Sequence, residues 1–388
     1  MIQSNISRVA ILQRAVARLC LYCLVGSLCL SILACRSPLA PMSAGLTNLD
    51  SLVAAPGQSF WVMSYNVENL FDLEDDVGKD DHAFLPIGKK QSPEHKDFCA
   101  KIPQRKWREE CLYQDWNQEN LNFKLEQIGR VLKAVNGGQG PDVVLLVEIE
   151  NLKVLELLRK GPLKDLGYQT AVLIEGDDER GIDTALLSKF PVIGSKLHKI
   201  PFDVEKVSKA AADTRGLLQT DLKLPDGSVM TFISVHLPNP AHPAVLRQQA
   251  LAYLKSVVER LPKDRSTVVG GDFNVSGEED ARDSVYKNLS PDFLVSQLVA
   301  DTIYPGTNYF PPKREWSYLD ALLFTKNLAR DADRSIASKW QLEPATIQTL
   351  RVGSFQVDSE GRPVRMVVGK DPRGVSDHLP LIARLRKR

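Results

Sequence analysis

The sequence predicts an α/β fold in which two packed β-sheets are flanked by helices. Three observations carry that expectation. Apolar runs of strand length outnumber helical stretches, hairpin connections alternate with longer crossovers, and neither an internal repeat nor a low-complexity segment breaks the pattern. The apolar and charged fractions, 43% and 25%, are those of a globular protein. A large fold of this class can take residues 59–388 as one domain.

Residues 60–67 open the fold as a strand. Residues 72–122 then dissolve into charges, prolines and scattered aromatics (Phe84, Trp107, Trp116), too long for an ordinary connection. This stretch is an insertion with its own structure or a functional loop. Residues 123–135 place Leu125, Ile128, Val131, Leu132 and Val135 at helical spacing, closed by Gly137-Gly138. A strand at 142–148 and a helix at 152–158 follow. Further strands are expected at 170–175, 184–188, 217–224, 229–236, 267–270, 319–324 and 379–385. Asp226-Gly227 supplies a hairpin turn between two of them. Residues 244–261 form a helix through Val245, Leu251, Leu254, Val257 and Val258.

The most informative motif is Gly271-Asp272-Phe273-Asn274, directly after the apolar run Thr267-Val268-Val269. Asp272 and Asn274 fall where the strand ends, and Gly270 with Gly271 lets the backbone approach a ligand. A carboxylate and an amide two residues apart can orient a water and hold the oxygen it attacks. The same pair is also ordinary turn chemistry. Other polar residues end apolar runs in a definite order: Ser64-Tyr65-Asn66-Val67-Glu68-Asn69, Leu145-Leu146-Val147-Glu148, Arg180-Gly181-Ile182-Asp183, Ser234-Val235-His236, Tyr318-Leu319-Asp320 and Ser376-Asp377-His378.

This ordered series resembles the endonuclease/exonuclease/phosphatase superfamily across residues 60–385. The resemblance implies a four-layer α/β/β/α sandwich and a divalent-metal-dependent hydrolase of phosphodiesters, with an extracytoplasmic nuclease leading. Phosphomonoesterase and phospholipid or sphingomyelin phosphodiesterase activities are the alternatives, and a non-catalytic surface-binding protein on this scaffold is a third class. It implies magnesium or manganese on Glu148 and Asp377, with Asn66 as the metal-side amide; Glu68 shares the face of Asn66 on an extended chain. Asp272 and Asn274 match the pair that positions water and phosphate. Asp320 matches the partner of His378, favouring its charged form. His236 matches a proton donor to the leaving alkoxide. Asp183 is a candidate to orient His236, and Arg180 and Arg215 are candidates to hold substrate.

Arg8, Arg14 and Arg18 precede an apolar stretch ending Ile32-Leu33-Ala34-Cys35. Residues 1–34 therefore read as a secretory signal, with an uncleaved membrane anchor as the alternative. The final four residues resemble a bacterial lipobox with Cys35 lipidated, and Arg36 favours outer-membrane sorting by resemblance to sorted lipoproteins. Residues 35–58 read as a tether, and the protein as a monomer. Of six cysteines, Cys20, Cys23 and Cys29 fall in the leader, leaving Cys99 and Cys111 to pair in an oxidising compartment. A zinc site is the poorer reading, for want of partner ligands. The chain carries 49 basic and 48 acidic residues; without the three leader arginines the balance is 46 to 48. That is unlike a protein whose affinity rests on wrapping phosphates.

Overall fold

A computed structural model describes residues 45–388, except 204, 206–213, 301–304, 334 and 336. The predicted leader, Cys35 and the first part of the tether lie outside the described residues.

The fold is built on two six-stranded sheets. The strands are β1 (Ser59–Leu70), β2 (Val143–Ile149), β3 (Thr170–Leu173), β4 (Asp183–Ser188), β5 (Val192–His198), β6 (Leu217–Lys223), β7 (Val229–His236), β8 (Ser266–Asp272), β9 (Phe293–Val295), β10 (Asn308–Phe310), β11 (Glu315–Ser317), β12 (Asp320–Thr325), β13 (Trp340–Thr349) and β14 (Leu381–Lys387). One sheet runs β13-β14-β1-β2-β4-β3 and the other β5-β6-β7-β8-β12-β9, while β10 and β11 form a separate hairpin. Each large sheet holds one parallel pair near its middle, β1–β2 and β7–β8. Parallel neighbours need a crossover. The insertion and helix α3 (Gln118–Lys133) supply the first, and α5 (Ala244–Glu259) the second.

Strand alternation creates the layers. On β1, Phe60 and Val62 point toward the second sheet, into a core shared with Leu218, Phe232, Val268 and Leu322. Trp61, Met63 and Tyr65 point the other way, onto Ile128, Val131 and Leu132 of α3 and onto Leu155 and Leu158 of α4 (Leu152–Lys160). Ile233, Val235, Val269 and Leu323 do the same for Ala250, Leu254 and Val257 of α5. Three cores between four layers confirm the α/β/β/α sandwich. Asn117 caps α3 through the Asn120 amide at 3.1 Å.

One buried ion pair ties α5 to the short helix at Gly277–Asp283. Arg247 sends Nε to both Glu279 carboxylate oxygens at 3.1 and 2.9 Å, and its Nη2 also meets that carboxylate. Its Nη1 donates to the carbonyls of Pro238 and Asn239, directly after β7.

All the predicted strands and helices are present with ends shifted by a few residues. Helix α3 starts at Gln118, inside the stretch assigned to the insertion. Strands β5, β9, β10, β11 and β13 were not anticipated. β5 is a largely exposed edge strand without apolar alternation, and β13 carries Pro344 within a register shift on the other sheet's edge. Within the insertion, α1 (Pro93–Ala100) and α2 (Arg105–Tyr113) are joined by the expected Cys99–Cys111 disulfide. The Trp116 indole anchors the segment by donating to the Phe71 and Asp72 carbonyls at 3.2 and 2.9 Å. Phe84 stacks on Phe71 with ring centres 4.0 Å apart. Among the described residues, no helix is long and apolar enough to cross a membrane.

Candidate active site

The polar ends of both parallel pairs meet at one seam. β1 and β2 each break register there, β1 between Asn66 and Leu70 and β2 between Val147 and Ile149. Glu68, Asn69 and Glu148 adopt positive φ values of 55°, 60° and 65°. Left-handed backbone at non-glycine residues is costly, and such bulges re-aim side chains. Here they turn Glu148 so that Oε2 accepts the Asn69 amide at 3.0 Å and Oε1 accepts Asn66 Nδ2 at 3.1 Å.

Asn66 Nδ2 also donates to Asp272 Oδ2 at 3.1 Å, bridging the two sheets. On the second sheet His236, Asp272 and Asp320 form one row, since Asp272 pairs in register with His236 on β7 and with Asp320 on β12. His378 Nδ1 donates to Asp320 Oδ2 at 2.6 Å. Its Nε2 stands 3.8 Å from Asp272 Oδ2 and from Asp377 Oδ1. His236 Nε2 stands 3.8 Å from Glu148 Oε1 and Asp272 Oδ2. Asn274, at φ 53°, gives its amide N–H to Asp272 Oδ1 at 2.8 Å and its Nδ2 to the Leu237 carbonyl at 2.9 Å. Ser376 Oγ links the first sheet to the histidine loop, donating to the Asn66 carbonyl and accepting the His378 amide.

The two buried histidines are driven apart in charge. Burial lowers the pKa of His378, but the Asp320 carboxylate outweighs it, with Asp272 and Asp377 helping, and holds it well above the ordinary value. Burial, then Arg215, Arg180 and the His378 cation, hold His236 well below. Burial pushes Asp272 up to about 8, with Asp320 adding to the rise and His378 opposing it. His378 and Asp272 thus compete for protons, and the Asp320 carboxylate 2.6 Å from Nδ1 favours the charged imidazole.

Several expectations are corrected. The glycines do not open the backbone to a ligand. A Cβ on Gly270 would stand 2.8 Å from Leu322 and 3.2 Å from Leu145, and one on Gly271 would stand 1.9 Å from the Val235 carbonyl oxygen. They let the sheets and the strands approach closely. Asn66 Nδ2 positions the Glu148 and Asp272 carboxylates, and its Oδ1 accepts the Glu68 amide with one of two lone pairs, which leaves the other for the metal-side role. Asp183 does not orient His236. Its Oδ1 accepts the Gly176 amide at 2.9 Å, and His236 Nδ1 is buried with no hydrogen-bond partner. Arg215 is held by Asp178 at 3.0 Å, whereas Arg180 donates to Asn69 Oδ1 and borders the cavity in front of Glu148.

That cavity, of about 1100 Å³, also exposes Glu68 and Asp377. Burial, together with the Asp377 charge, pushes Glu68 up to about 7, and its Oε2 is buried without a hydrogen-bond partner. Arg365 pairs with Glu68 and lies 3.9 Å from Asp377. Lys124 Nζ, wholly buried, donates to the carbonyls of Glu68 and Val375 at 2.8 and 2.6 Å. Glu68, Glu148 and Asp377 line this one cavity with carboxylate oxygens, the donor type a hard divalent cation takes, whereas the seam cluster whose ligand atoms all lie within 4.8 Å of one another is Asp272, Asp320 and His378. Lys124 and Arg365 were missed, although a lysine between Leu121 and Leu125 on an apolar helix face is a legible anomaly.

Comparison with known proteins gives a consistent picture. A model of the Endonuclease/Exonuclease/phosphatase family matches residues 108–387. A solved family protein from Bacteroides thetaiotaomicron is similar at 15% identity and TM-score 0.52, covering 85% of this chain and 98% of its own. One from Bacteroides vulgatus has 14% identity, TM-score 0.51, and coverage of 85% and 99%. A mannosyl-6-phosphatase from Bacteroides thetaiotaomicron has 16% identity, TM-score 0.50, and coverage of 84% and 99%. No curated protein matches the sequence. At these identities the structures support the fold alone.

Proposed function

Because the chain belongs to the endonuclease/exonuclease/phosphatase family, we propose that the seam between its sheets hydrolyses phosphodiesters, with nucleic acid as the leading substrate. The observation that carries this reading is the placement of His236 and His378, each with Nε2 3.8 Å from the same Asp272 oxygen. Asp272 has each carboxylate oxygen fixed, by Asn66 and by the Asn274 amide, so in its ionised form, which gains population as pH rises toward about 8, it is aimed to take a proton from the attacking water. The new P–O bond forms as the bond to the leaving group breaks, and the leaving oxygen takes its final proton from solvent. His378, kept cationic by Asp320, stabilises the charge developing on the phosphoryl oxygens. His236 has no carboxylate orienter and is neutral in the free site. We therefore assign it a hydrogen bond to the phosphate rather than proton donation to the leaving alkoxide. Magnesium or manganese on Glu148, Asp377 and Glu68 would supply Lewis-acid polarisation of the phosphate and charge neutralisation at the leaving oxygen.

Arg180 and Arg365 beside the carboxylates would also accommodate a phosphomonoester dianion, which keeps phosphatase activity as the second reading. A turnover panel decides between them: DNA, RNA, an aryl phosphodiester, sphingomyelin and a sugar phosphate, each with magnesium or chelator. Glu148→Gln should lose more than about tenfold at low metal and recover partly at high metal, because the amide keeps the shape but not the charge. Full activity in chelator would end the metal assignment. His236→Ala should lose equally on a natural diester and on a nitrophenyl diester; selective sparing of the nitrophenyl ester would restore it as the general acid. We further propose that Cys35 is lipidated and anchors a monomeric enzyme to the outer membrane. An unmodified mature Cys35 by mass spectrometry would refute this.

A further inference from the structure

The cavity in front of the carboxylates is walled by the stapled insertion on one side and by residues 365–368 on the other. Its outer wall presents Phe98 and Trp107, 36% and 56% exposed, although large aromatics are usually covered. Lys101 and Lys106 both lie between the two rings along the α1–α2 hairpin, one edge of Phe98 resting against His82, and Arg180 and Arg365 continue the positive side chains to the carboxylates. Exposed rings flanking cations make a surface on which bases stack while the backbone is neutralised. The cavity volume of about 1100 Å³ lies just above the usual range for a small-molecule site. Only unpaired bases leave a ring face free to lie on such side chains, since in a duplex both faces are taken by neighbouring base pairs.

We infer that the insertion is a stacking platform for the unpaired bases next to the scissile phosphate, so that the protein takes single-stranded nucleic acid and excludes duplex. This rests on the phosphodiester reading of the adjoining carboxylates. It gives the Cys99–Cys111 bond a purpose, since the bond fixes the hairpin that carries both rings.

The test is binding of a short, fluorescently labelled oligothymidylate to the intact, oxidised protein in chelator, followed by anisotropy of the label. Turnover of methyl p-nitrophenyl phosphate with magnesium is measured in parallel. Trp107→Ala and Phe98→Ala should each weaken oligonucleotide binding by at least about fivefold, the lower end of base–aromatic stacking. Turnover of the small ester should stay unchanged. Blunt duplex should compete poorly. Unchanged affinity in Trp107→Ala, duplex binding as tight as single strand, or displacement by phospholipid micelles but not by oligonucleotide would each overturn the inference. Loss of small-ester turnover in Trp107→Ala with native circular dichroism would overturn it too, by placing the ring in the chemistry. If the wild-type protein hydrolyses no phosphodiester yet binds single strand through Trp107, the hydrolase reading fails and this one stands.

Discussion

Glu279→Gln is the sharpest test of how the second sheet holds its half of the seam. Arg247 and Glu279 are only 2% and 4% exposed. The guanidinium therefore relies on that carboxylate for charge, and on the Pro238 and Asn239 carbonyls for its remaining hydrogen bonds. The amide keeps the volume but leaves a buried cation without a counter-ion. Breaking such a pair costs about 3–5 kcal/mol, a large part of a stability that is typically about 5–15 kcal/mol. At about 2 °C per kcal/mol for a large domain, the melting temperature should fall by roughly 6–10 °C. The loop that Arg247 grips begins one residue after His236, so turnover should also fall well below the melting temperature. Urea denaturation with parallel kinetics measures both. A loss under about 1 kcal/mol, the value of a solvated surface pair, would refute the reasoning.

Other perturbations test other parts. Gly270→Ala pushes a methyl group toward Leu322 and Leu145; it should cost about 1–3 kcal/mol and lower kcat with KM steady, in denaturation and steady-state assays. Cys99→Ser with Cys111→Ser opens a loop of 12-residue separation, worth about 3 kcal/mol. Hydrogen exchange should show that loss in residues 93–113, with the sheets little changed. Because His378 sits above its ordinary pKa, the ion pair stabilises fully below about pH 6.5 and is lost as pH rises through the folded value. Asp320→Asn should flatten that alkaline decline in denaturation midpoint and shift the alkaline limb of kcat/KM to lower pH.

Much of this was written in the sequence where apolar runs end in polar residues. Asp272, Asp320 and His236 share a row because each closes or opens a strand, and Glu148 needed only its place after five apolar residues. What could not be read was the backbone that aims them. Nothing in Val67-Glu68-Asn69 announces two consecutive left-handed residues, and they are what bring Glu68 to the cavity beside Asp377. The glycine pair misled for a similar reason: a residue without a side chain permits close approach by ligand or by strand, and only tertiary structure says which. Short elements escaped because α1 and α2 are held by a disulfide, the Trp116 indole and buried Lys90 rather than by their own periodicity.

The division of the seam between two parallel pairs bears on how the protein comes to life. Asn66 and Glu148 belong to one sheet and His236 and Asp272 to the other, so neither sheet alone carries a working centre. A newly made chain with one sheet formed, or with both formed but not yet packed together, has every reactive side chain and no competence. Turnover therefore marks the last event of folding: in a refolding experiment it should emerge after circular dichroism has levelled off, together with burial of Phe60 and Phe232 between the sheets.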